Sequence, residues 1–423
     1  MSTSEFSSDQ AETLLLPRGQ AVMVAIILVS ATLLALAGID LVLPAIPELP
    51  SILIGTPTEA QLVLATFAAG AGFGLLLFGE LGARFDHRRM LAIALGCYGL
   101  FSFIAIASDS LAFLIVLRFF QGLSASCAAV VAPGMIRAMF SEKHAMGALS
   151  SVESLAPAIA PIIGLWLFSL GGWTASFLVT AVLATLLALT VFSIHDRMPD
   201  SRRHGSQKSD KNFDSSVRAA FTSRYLRLMR HWPYLRYSMS QAFALGGLLV
   251  FVFGAPVAMI GIGGGIRDFI MMQICGVTSF IIAANLAGIL ADKFGTDKTI
   301  WLGTILCLIG ALSIFIYILG GGNQPGIIWI LFVPMNMGLG FRAPTSFYKA
   351  LVEADGDDAR ASALLILSAM LITALGTAVT AVWIDLGFWF VAIASAVLML
   401  CSAICFAVRS RPYTSNLEKD SSD

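Results

Sequence analysis

Two short stretches of the sequence repeat each other at a distance and decide how the chain is organised. Residues 79–89 read GELGARFDHRR, and residues 288–298 read GILADKFGTDK. Glycine, leucine and phenylalanine coincide in the two stretches, and basic residues align at two further positions. Each stretch lies between two long apolar segments. Because it recurs at matching places, the repeat indicates a chain built from two related halves.

Long apolar segments make up most of the remaining sequence. The 423-residue chain is 57% hydrophobic and 12% charged, whereas a soluble domain is about 25% charged. Each of twelve segments is long enough to cross about 30 Å of hydrocarbon as a helix. They are residues 21–43, 60–82, 90–107, 111–138, 146–170, 173–194, 237–260, 269–291, 299–320, 327–349, 361–384 and 387–408. The sequence therefore predicts an all-α polytopic membrane protein with twelve transmembrane helices.

Basic residues indicate the orientation of these helices. When the chain is threaded through a membrane twelve times, nearly all of its 26 Lys and Arg residues fall on one side. By the positive-inside rule that side is the cytoplasm, and both termini lie there. We therefore expect a multi-pass protein of the plasma membrane, which is the inner membrane if the organism is bacterial.

A basic linker divides the chain into six segments and six. Residues 195–236 carry ten Lys or Arg residues. The first part of the linker has no apolar periodicity, whereas residues 215–236 are compatible with an amphipathic helix on the membrane surface. The predicted divisions are a cytoplasmic tail (1–20), an N-terminal six-helix bundle (21–194), the linker (195–236), a C-terminal six-helix bundle (237–408) and a second cytoplasmic tail (409–423).

The two repeated stretches resemble the loop signature of the major facilitator superfamily, G-x-L-x-D-R-x-G-R-R. The second copy fits this pattern, whereas the first has Ala83 at the position of the Asp and Asp86 at the position of the Gly. Asp86 could replace the missing carboxylate one turn later. In that family the loop helps to latch the two halves together on the cytoplasmic side. The resemblance implies this gating role for Gly79, Arg84, Asp86, Arg88, Gly288, Asp292, Lys293 and Gly295.

An arginine lies within the fourth apolar segment. Residues 111–133 read LAFLIVLRFFQGLSASCAAVVAP, and no residue within seven positions of Arg118 can pair with it. A cation placed in lipid costs about 2.5–3.5 kcal/mol on insertion scales. The chain must therefore either shield Arg118 or use it.

An acidic residue in the first segment is the candidate partner of Arg118. Asp40 begins the stretch DLVLPAIP near the outer end of that segment, and its depth differs from that of Arg118 by about the length of one Arg side chain. Asp40 is either a solvated residue at a helix end or a titratable carboxylate facing a central cavity. In the second case, an ion pair with Arg118 would relieve the burial of both charges. A proton on Asp40 would weaken the pair and force Arg118 to find another partner, which makes a two-state switch.

A third intramembrane charge lies in the fifth segment. Residues 150–164 read SSVESLAPAIAPIIG, with Glu153 among apolar residues. Pro157 and Pro161 each remove a helix hydrogen bond and predict a kink. The alanines and Gly164 leave a flat face that a neighbouring helix can approach closely. An acidic residue in a membrane helix is a functional candidate, with packing or an extended side chain at the interface as the alternative.

Short motifs in these segments extend the resemblance. Residues 118–122 (RFFQG) resemble the motif shared by proton-coupled facilitators. Residues 157–164, followed by GGW at 171–173, resemble the antiporter motif of the fifth helix. Residues 40–44 (DLVLP) resemble the first-helix motif of twelve-helix drug:proton antiporters, and residues 135–150 look most like the Bcr/CflA subgroup.

The resemblance implies two six-helix bundles around a central cavity and roles for particular residues. It implies proton coupling by Asp40, Arg118 and Glu153, and a kink at Pro157, Pro161 and Gly164. Gln121 is a tentative residue of the substrate cavity. Arg342, in the cytoplasmic half of the tenth segment, either extends its side chain to the interface or binds a substrate or a carboxylate.

The sequence favours secondary transport. It contains no GxxxxGK[ST] phosphate-binding loop, which argues against ATP hydrolysis by this chain. The resemblance implies export of small amphipathic compounds by antiport with protons, without a cofactor or a metal. The expected partners are a small-molecule substrate, protons and membrane lipid but not nucleic acid, and the expected assembly is a monomer.

Three alternatives remain at this point. An uptake symporter would use protons in the same way, but the motif in the fifth segment argues against it. A transport-inactive membrane sensor with the same fold is allowed by the two departures in the first loop. An intramembrane enzyme would need His, Cys or paired carboxylates near one interface, and the five His residues all lie in predicted loops.

Overall fold

The computed structural model describes residues 18–82, 85–137, 139, 159–195, 198, 225–354 and 358–408. These ranges contain eleven helices that are long and apolar enough to cross a membrane, and a shorter apolar helix completes the series. No β-strand occurs in the described ranges. The prediction of an all-α membrane protein with twelve helices is confirmed.

We number the twelve helices in chain order. They are α1 (Arg18–Asp40), α2 (Pro57–Gly82), α3 (His87–Ile106), α4 (Leu111–Arg137), α5 (Ile159–Gly171), α6 (Trp173–Ser193), α7 (Trp232–Ile260), α8 (Ile266–Phe294), α9 (Thr296–Leu319), α10 (Pro325–Val352), α11 (Asp358–Val382) and α12 (Phe388–Ala407). The N-terminal half holds α1–α6, and the C-terminal half holds α7–α12. We call the end of the bundle where α6 ends and α7 begins the linker end, and the opposite end the far end.

Helix α7 begins at Trp232, before the predicted start of its apolar segment. Pro233 lies in the first turn, where its missing N–H is not needed. Arg236 then donates from Nε to the carbonyl of Phe406 at 2.8 Å. Polar contacts thus extend the helix beyond the apolar run that predicted it.

The described part of the predicted surface helix packs against protein. Residues 225–230 are helical, and Leu228 is 2% exposed within a core cluster of the C-terminal half that includes Tyr234 and Ile300. Residues 215–224 lie outside the described ranges. The last turns before α7 therefore dock on the bundle.

The chain stays buried after α1 ends at Asp40. A 3-10 helix, Leu43–Ala45, and a short helix, Leu49–Ile52, follow within the next residues. Leu43, Ile46 and Leu49 are all 0% exposed. Pro44 begins the first of these turns and so ends α1, as its position predicts. This segment covers the end of α1 on the far side.

Glycines allow the helices of each half to pack backbone to backbone. A Cβ on Gly122 of α4 would overlap the main chain of Phe67 in α2. In the second half, a Cβ on Gly303 of α9 would lie 2.5 Å from the carbonyl oxygen of Gly338 in α10. Since lipid supplies little hydrophobic drive for helix association, such close approach stabilises the bundle through dispersion contacts. The crossing of α2 and α4 also fixes the surroundings of Arg118.

The two halves share a core towards the far end. One hydrophobic cluster there combines Leu43 and Leu64 of the first half with Phe251, Met259 and Ile384 of the second. At the linker end, each half has a separate cluster, among the described residues. Among the described residues, the two bundles therefore join their cores towards the far end and keep separate cores at the linker end.

Candidate functional site

Arg118 is enclosed by protein inside α4, where it is 1% exposed. Its Nε donates to the carbonyl of Val63 in α2 at 3.2 Å, and its Nη1 donates to the carbonyl of Gly38 in α1 at 3.1 Å. Nη1 also donates to Oε1 of Gln121, one turn along α4, at 3.0 Å. Arg118 therefore ties three helices of the N-terminal half together.

Aromatic rings complete the surroundings of the guanidinium. Its Cζ lies 4.2 Å from the ring centroid of Phe67 and 5.9 Å from that of Phe177. A ring face attracts a cation through its quadrupole. Nη2 has no hydrogen-bond partner in the described structure. Within the described part of the chain, carbonyl dipoles and ring faces, rather than a counter-ion, thus shield this charge.

Asp40 lies at the end of α1 and is 9% exposed. At this exposure Asp40 is not the solvated residue at a helix end that one interpretation of the sequence proposed. Among the described residues, its carboxyl group has no ion-pair partner, and the expected pair with Arg118 is absent from this conformation. Arg118 reaches α1 at Gly38 instead. Positions two residues apart on a helix face different directions, so Gly38 and Asp40 present different sides of α1.

Gln121, which we expected in the substrate cavity, is 1% exposed. Its Oε1 accepts from Arg118, and its Nε2 has no hydrogen-bond partner in the part of the chain that is described. In this conformation Gln121 therefore acts on Arg118. A contact with substrate remains a prediction.

Helix α5 approaches the end of α1 closely. A Cβ on Gly164 would lie 2.6 Å from the carbonyl oxygen of Leu41. Ala160 packs with Leu41 in a small buried cluster, and Ser176 of α6 donates to the same Leu41 carbonyl at 2.8 Å. The flat face predicted for α5 therefore lies against α1, next to Asp40.

Three predicted site residues, Arg84, Glu153 and Pro157, lie outside the described residues. Pro161 lies in α5 and is buried. The kink and the coupling role predicted from this stretch therefore remain predictions. For the rest of the motif, the structure describes the packing of Ala160 and Gly164 against Leu41.

Arg342 of α10 does not reach the cytoplasmic interface, because it is 0% exposed. Its Nη1 donates to Oγ of Ser402 in α12, and its Nη2 donates to Oγ of Ser240 in α7 at 2.7 Å. Each serine hydroxyl also donates to the main-chain carbonyl of the other serine, at 2.8 and 2.7 Å. The expectation of an extended side chain is wrong because α7 and α12 close over it. Binding of a substrate by Arg342 remains a prediction.

The first gating loop is fastened within its own half. Asp86 is the N-cap of α3, and its side chain accepts from the main-chain N–H of Arg88 at 3.1 Å. The carboxylate also contacts Nε of Arg88 at 3.2 Å and Nε2 of His195, just after α6, at 2.9 Å. Burial raises the pKa of Asp86, but these hydrogen bonds and the charge of Arg88 outweigh burial and hold the pKa below its ordinary value. The departure at position 86 thus has a local use as a helix cap and an anchor.

The second gating loop has the backbone geometry that its glycine permits. Gly295 adopts φ +94° between α8 and α9, a conformation that favours glycine. The other described members of the predicted loops are exposed: Gly79, Gly288, Asp292 and Lys293. No ion pair between the halves occurs among the described residues. Latching by these loops remains a prediction for another conformation.

Sequence reasoning missed four residues around Arg118: Gly38, Val63, Phe67 and Tyr98. Val63 contributes a main-chain carbonyl, which leaves no signal in the sequence. A Cβ on Gly38 would overlap the hydroxyl of Tyr98 and would lie 3.0 Å from the ring of Phe67. Tyr98 did leave a signal, because it is the only tyrosine in the first six predicted helices.

A comparison with family models decides the class of protein. The model described as Major Facilitator Superfamily matches residues 28–364. The chain belongs to the major facilitator superfamily. The family is one of transporters, so this facilitator is not an intramembrane enzyme.

Drug-resistance proteins are among the relatives of this facilitator. It is 28% identical over 304 residues to the bicyclomycin resistance protein homolog of Haemophilus influenzae, and the match covers 70% of this chain and 73% of that protein. It is 27% identical over 296 residues to the chloramphenicol resistance protein of Pseudomonas aeruginosa, covering 67% and 66%. The match to multidrug resistance protein MdtL of Shewanella sp. is 27% over 191 residues and spans 48% of that protein. These relatives bear out the resemblance to the Bcr/CflA type of drug transporter.

Solved structures share the fold. A bacterial homolog of the human lysosomal transporter Spinster, in an inward-facing and unoccupied conformation, aligns with a TM-score of 0.68 and 13% identity, over 92% of this chain and 97% of that one. The nucleoside transporter NupG aligns with a TM-score of 0.62 and 14% identity, over 90% and 99%. At these identities the match concerns the fold alone. This facilitator is thus a multi-pass membrane protein with a transporter fold and drug-resistance relatives.

Proposed function

We propose that this facilitator exports small amphipathic compounds, antibiotics among them, in exchange for protons. The observation that carries the proposal is a pair of facts about one site: Arg118 is held by carbonyls, and Asp40, which is 9% exposed, has no hydrogen-bond or ion-pair partner among the described residues. A buried carboxylate with neither a donor nor a counter-ion is very unfavourable, whereas a neutral carboxylic acid is tolerated. We therefore interpret this conformation as the one in which Asp40 carries a proton.

The proposed coupling step is an exchange of partners by Arg118. While Asp40 is neutral, the guanidinium binds α1 through the carbonyl of Gly38. Loss of the proton creates a carboxylate two residues further along the same helix, and Arg118 still has Nη2 free to bind it. Because α1 would have to turn or slide to present Asp40 in place of Gly38, the protonation state biases the position of α1. A proton and the conformation of the bundle are thereby linked.

The packing of the two halves supports alternating access. The shared core at the far end and the separate cores at the linker end correspond to a cavity that opens towards the linker. The distribution of Lys and Arg supports a cytoplasmic position for the linker end and both termini. We propose that the protein lies in the plasma membrane, takes substrate from the cytoplasmic side in this conformation and releases it on the other side after the far end opens.

A second candidate function, uptake by proton symport, would use the same Asp40 and Arg118. Export is favoured by the α5 motif, whose small residues Ala160 and Gly164 pack beside Asp40, and by the drug-resistance relatives. We further propose that Glu153 of the same motif contributes a second protonatable group. A transport-inactive sensor is the remaining alternative.

Inverted membrane vesicles separate these candidates. The vesicles carry the protein and a preformed acid-inside proton gradient, and the test compounds are chloramphenicol, bicyclomycin and fluorescent cationic dyes. An exporter that works by antiport dissipates the gradient when its substrate is added, and Asp40→Asn and Arg118→Ala abolish this response at normal expression. A symporter does not dissipate the gradient under these conditions but drives uptake in right-side-out vesicles. A sensor transports no compound in either orientation.

A further inference from the structure

Arg118 and its neighbour Tyr98 each hold a buried polar group without a hydrogen-bond partner among the described residues. Arg118 Nη2 is one of them, and the hydroxyl of Tyr98 is the other. Tyr98 is 1% exposed at the middle of α3. Buried polar groups are nearly always hydrogen-bonded in folded proteins, and an unpaired one calls for an explanation. Here two such groups lie beside the proposed coupling site.

The side chains of Arg118 and Tyr98 both reach Gly38 of α1. Arg118 donates from Nη1 to its carbonyl, and the Tyr98 hydroxyl fills the space that a Cβ at position 38 would need. The rings of Tyr98 and Phe67 pack in one buried cluster, and Phe67 in turn lies under the guanidinium. The depths also agree, because Tyr98 lies eight residues and Arg118 seven residues from the far ends of their helices. The Tyr98 hydroxyl is therefore a neighbour of the guanidinium with α1 lying against both.

We infer that Tyr98 is a positioning residue that holds Arg118 when α1 moves while Asp40 carries the proton. This inference rests on the proposed function. In the proton-loaded carrier, Asp40 is neutral and cannot hold the guanidinium. When α1 withdraws the Gly38 carbonyl, Arg118 loses an acceptor deep in the membrane. The Tyr98 oxygen is a buried, unoccupied acceptor beside it and can take its place.

The substrate-loaded carrier does not need the Tyr98 oxygen as an acceptor for Arg118. In that half of the cycle Asp40 is ionised and supplies the acceptor itself. Tyr98 should therefore matter for the return of the proton-loaded carrier and not for the movement of the substrate-loaded carrier. This asymmetry distinguishes a positioning role from a role in packing, which would affect both movements.

The test compares two transport modes in proteoliposomes. The variant Tyr98→Phe keeps the ring and removes the hydroxyl. Efflux driven by a proton gradient should fall about tenfold or more, the change expected for loss of one hydrogen bond to a charged group. Counterflow of labelled against unlabelled substrate, without a gradient, should stay within about twofold of wild type, because it uses only the substrate-loaded carrier.

Tyr234→Phe is the matched control. Tyr234 is a fully buried tyrosine of α7, and its hydroxyl donates to the carbonyl of Ala361 at 2.7 Å in the other half. Any effect of that variant should be equal in the two transport modes. If Tyr98→Phe leaves the ratio of the two modes at the wild-type value, the inference is wrong. If wild type shows no proton-driven efflux of any compound, the proposed function fails instead.

A second measurement tests the geometry itself. Gly38→Ala should abolish proton-driven efflux, because its Cβ overlaps the Tyr98 hydroxyl. Tyr98→Phe should partly rescue the expression and counterflow of Gly38→Ala, since it removes the overlapping atom and leaves the ring of Phe67 at 3.0 Å to adjust. A Gly38→Ala variant that is equally impaired with Tyr or Phe at position 98 would show that the hydroxyl does not lie against α1.

Discussion

At the scale of single residues, the most informative feature is a buried cation that has no anionic partner among the described residues. Arg118 spreads its charge over acceptors from α1, α2 and α4 and over two aromatic rings. A buried ion pair needs compensation for the removal of two charges from water. When carbonyl groups are the acceptors, only the charge of Arg118 is removed from water. Asp40 can then be neutral. The residue-level chemistry therefore supports a site that can gain and lose a proton.

The planar fork of Arg118 should be essential to this arrangement. Arg118→Lys keeps the charge but offers three donors on one nitrogen, which cannot reach carbonyls of two different helices at once. We expect proton-driven efflux to fall at least about tenfold, since one hydrogen bond to a charged group is lost. Efflux in proteoliposomes measures this, with Arg267→Lys as the control, because Arg267 is exposed in the first turn of α8 at the far end. Wild-type efflux by Arg118→Lys would mean that the geometry of the guanidinium does not matter.

The C-terminal half also buries a guanidinium, but the acceptors of its hydrogen bonds are different. Arg342 binds two serine hydroxyls, Ser240 and Ser402, which also bind each other's main chains. The hydrogen bonds close a ring across α7, α10 and α12. No carboxylate forms an ion pair with Arg342 among the described residues. Arg342 therefore fastens three helices rather than serving as a partner for a mobile proton.

At the scale of helices, the contact between α5 and the end of α1 restricts the size of the side chain at position 164. Gly164→Ala places a methyl group 2.6 Å from the Leu41 carbonyl, which also accepts from Ser176. Overpacking of this kind costs about 1–3 kcal/mol. We expect a lower melting temperature in detergent and a lower rate of efflux. Gly326→Ala, at the start of α10 with nothing within 4 Å of the new Cβ, should behave as wild type. Unchanged melting and efflux in Gly164→Ala would contradict the close approach.

The cap of α3 predicts a dependence of stability on pH. Because the folded-state pKa of Asp86 is lowered, its contribution is fully present above the ordinary aspartate value of about 4 and is lost as the pH falls through the lowered pKa. Asp86→Asn should therefore melt below wild type at pH 7, and the difference should shrink as the pH falls towards about 3. Melting in detergent across this range checks the sign. A difference that grows on acidification would overturn the assignment.

At the scale of the whole molecule, hydropathy predicted the fold because lipid imposes one requirement on every span. Each segment that crosses it must be apolar and helical, and this leaves a direct mark on the sequence. The start of α7 escaped prediction because Arg236 and Tyr237 are held by contacts with Phe406 and Asp297, which lie far away in the chain. Helix ends set by tertiary contacts leave no local pattern.

The residues of the site were predictable in part, but their partners were not. Asp40 and Arg118 stand out as charges in apolar segments. The acceptors of Arg118 on α1 and α2 are main-chain carbonyls of Gly38 and Val63, and every residue has such a group. The burial of Arg342 depends on how α7 and α12 pack over α10. The position of Arg342 along its own helix does not reveal this packing.

The central claim is that Asp40 holds a proton in the conformation that opens to the linker end and gives it up when substrate binds. The most direct test is proton release by purified protein in a weakly buffered detergent solution when a transported compound is added. We predict release of protons by wild type and by Asp385→Asn, whose carboxylate is exposed at the far end, and none by Asp40→Asn. Equal proton release by wild type and Asp40→Asn, with substrate bound in both, would contradict the account.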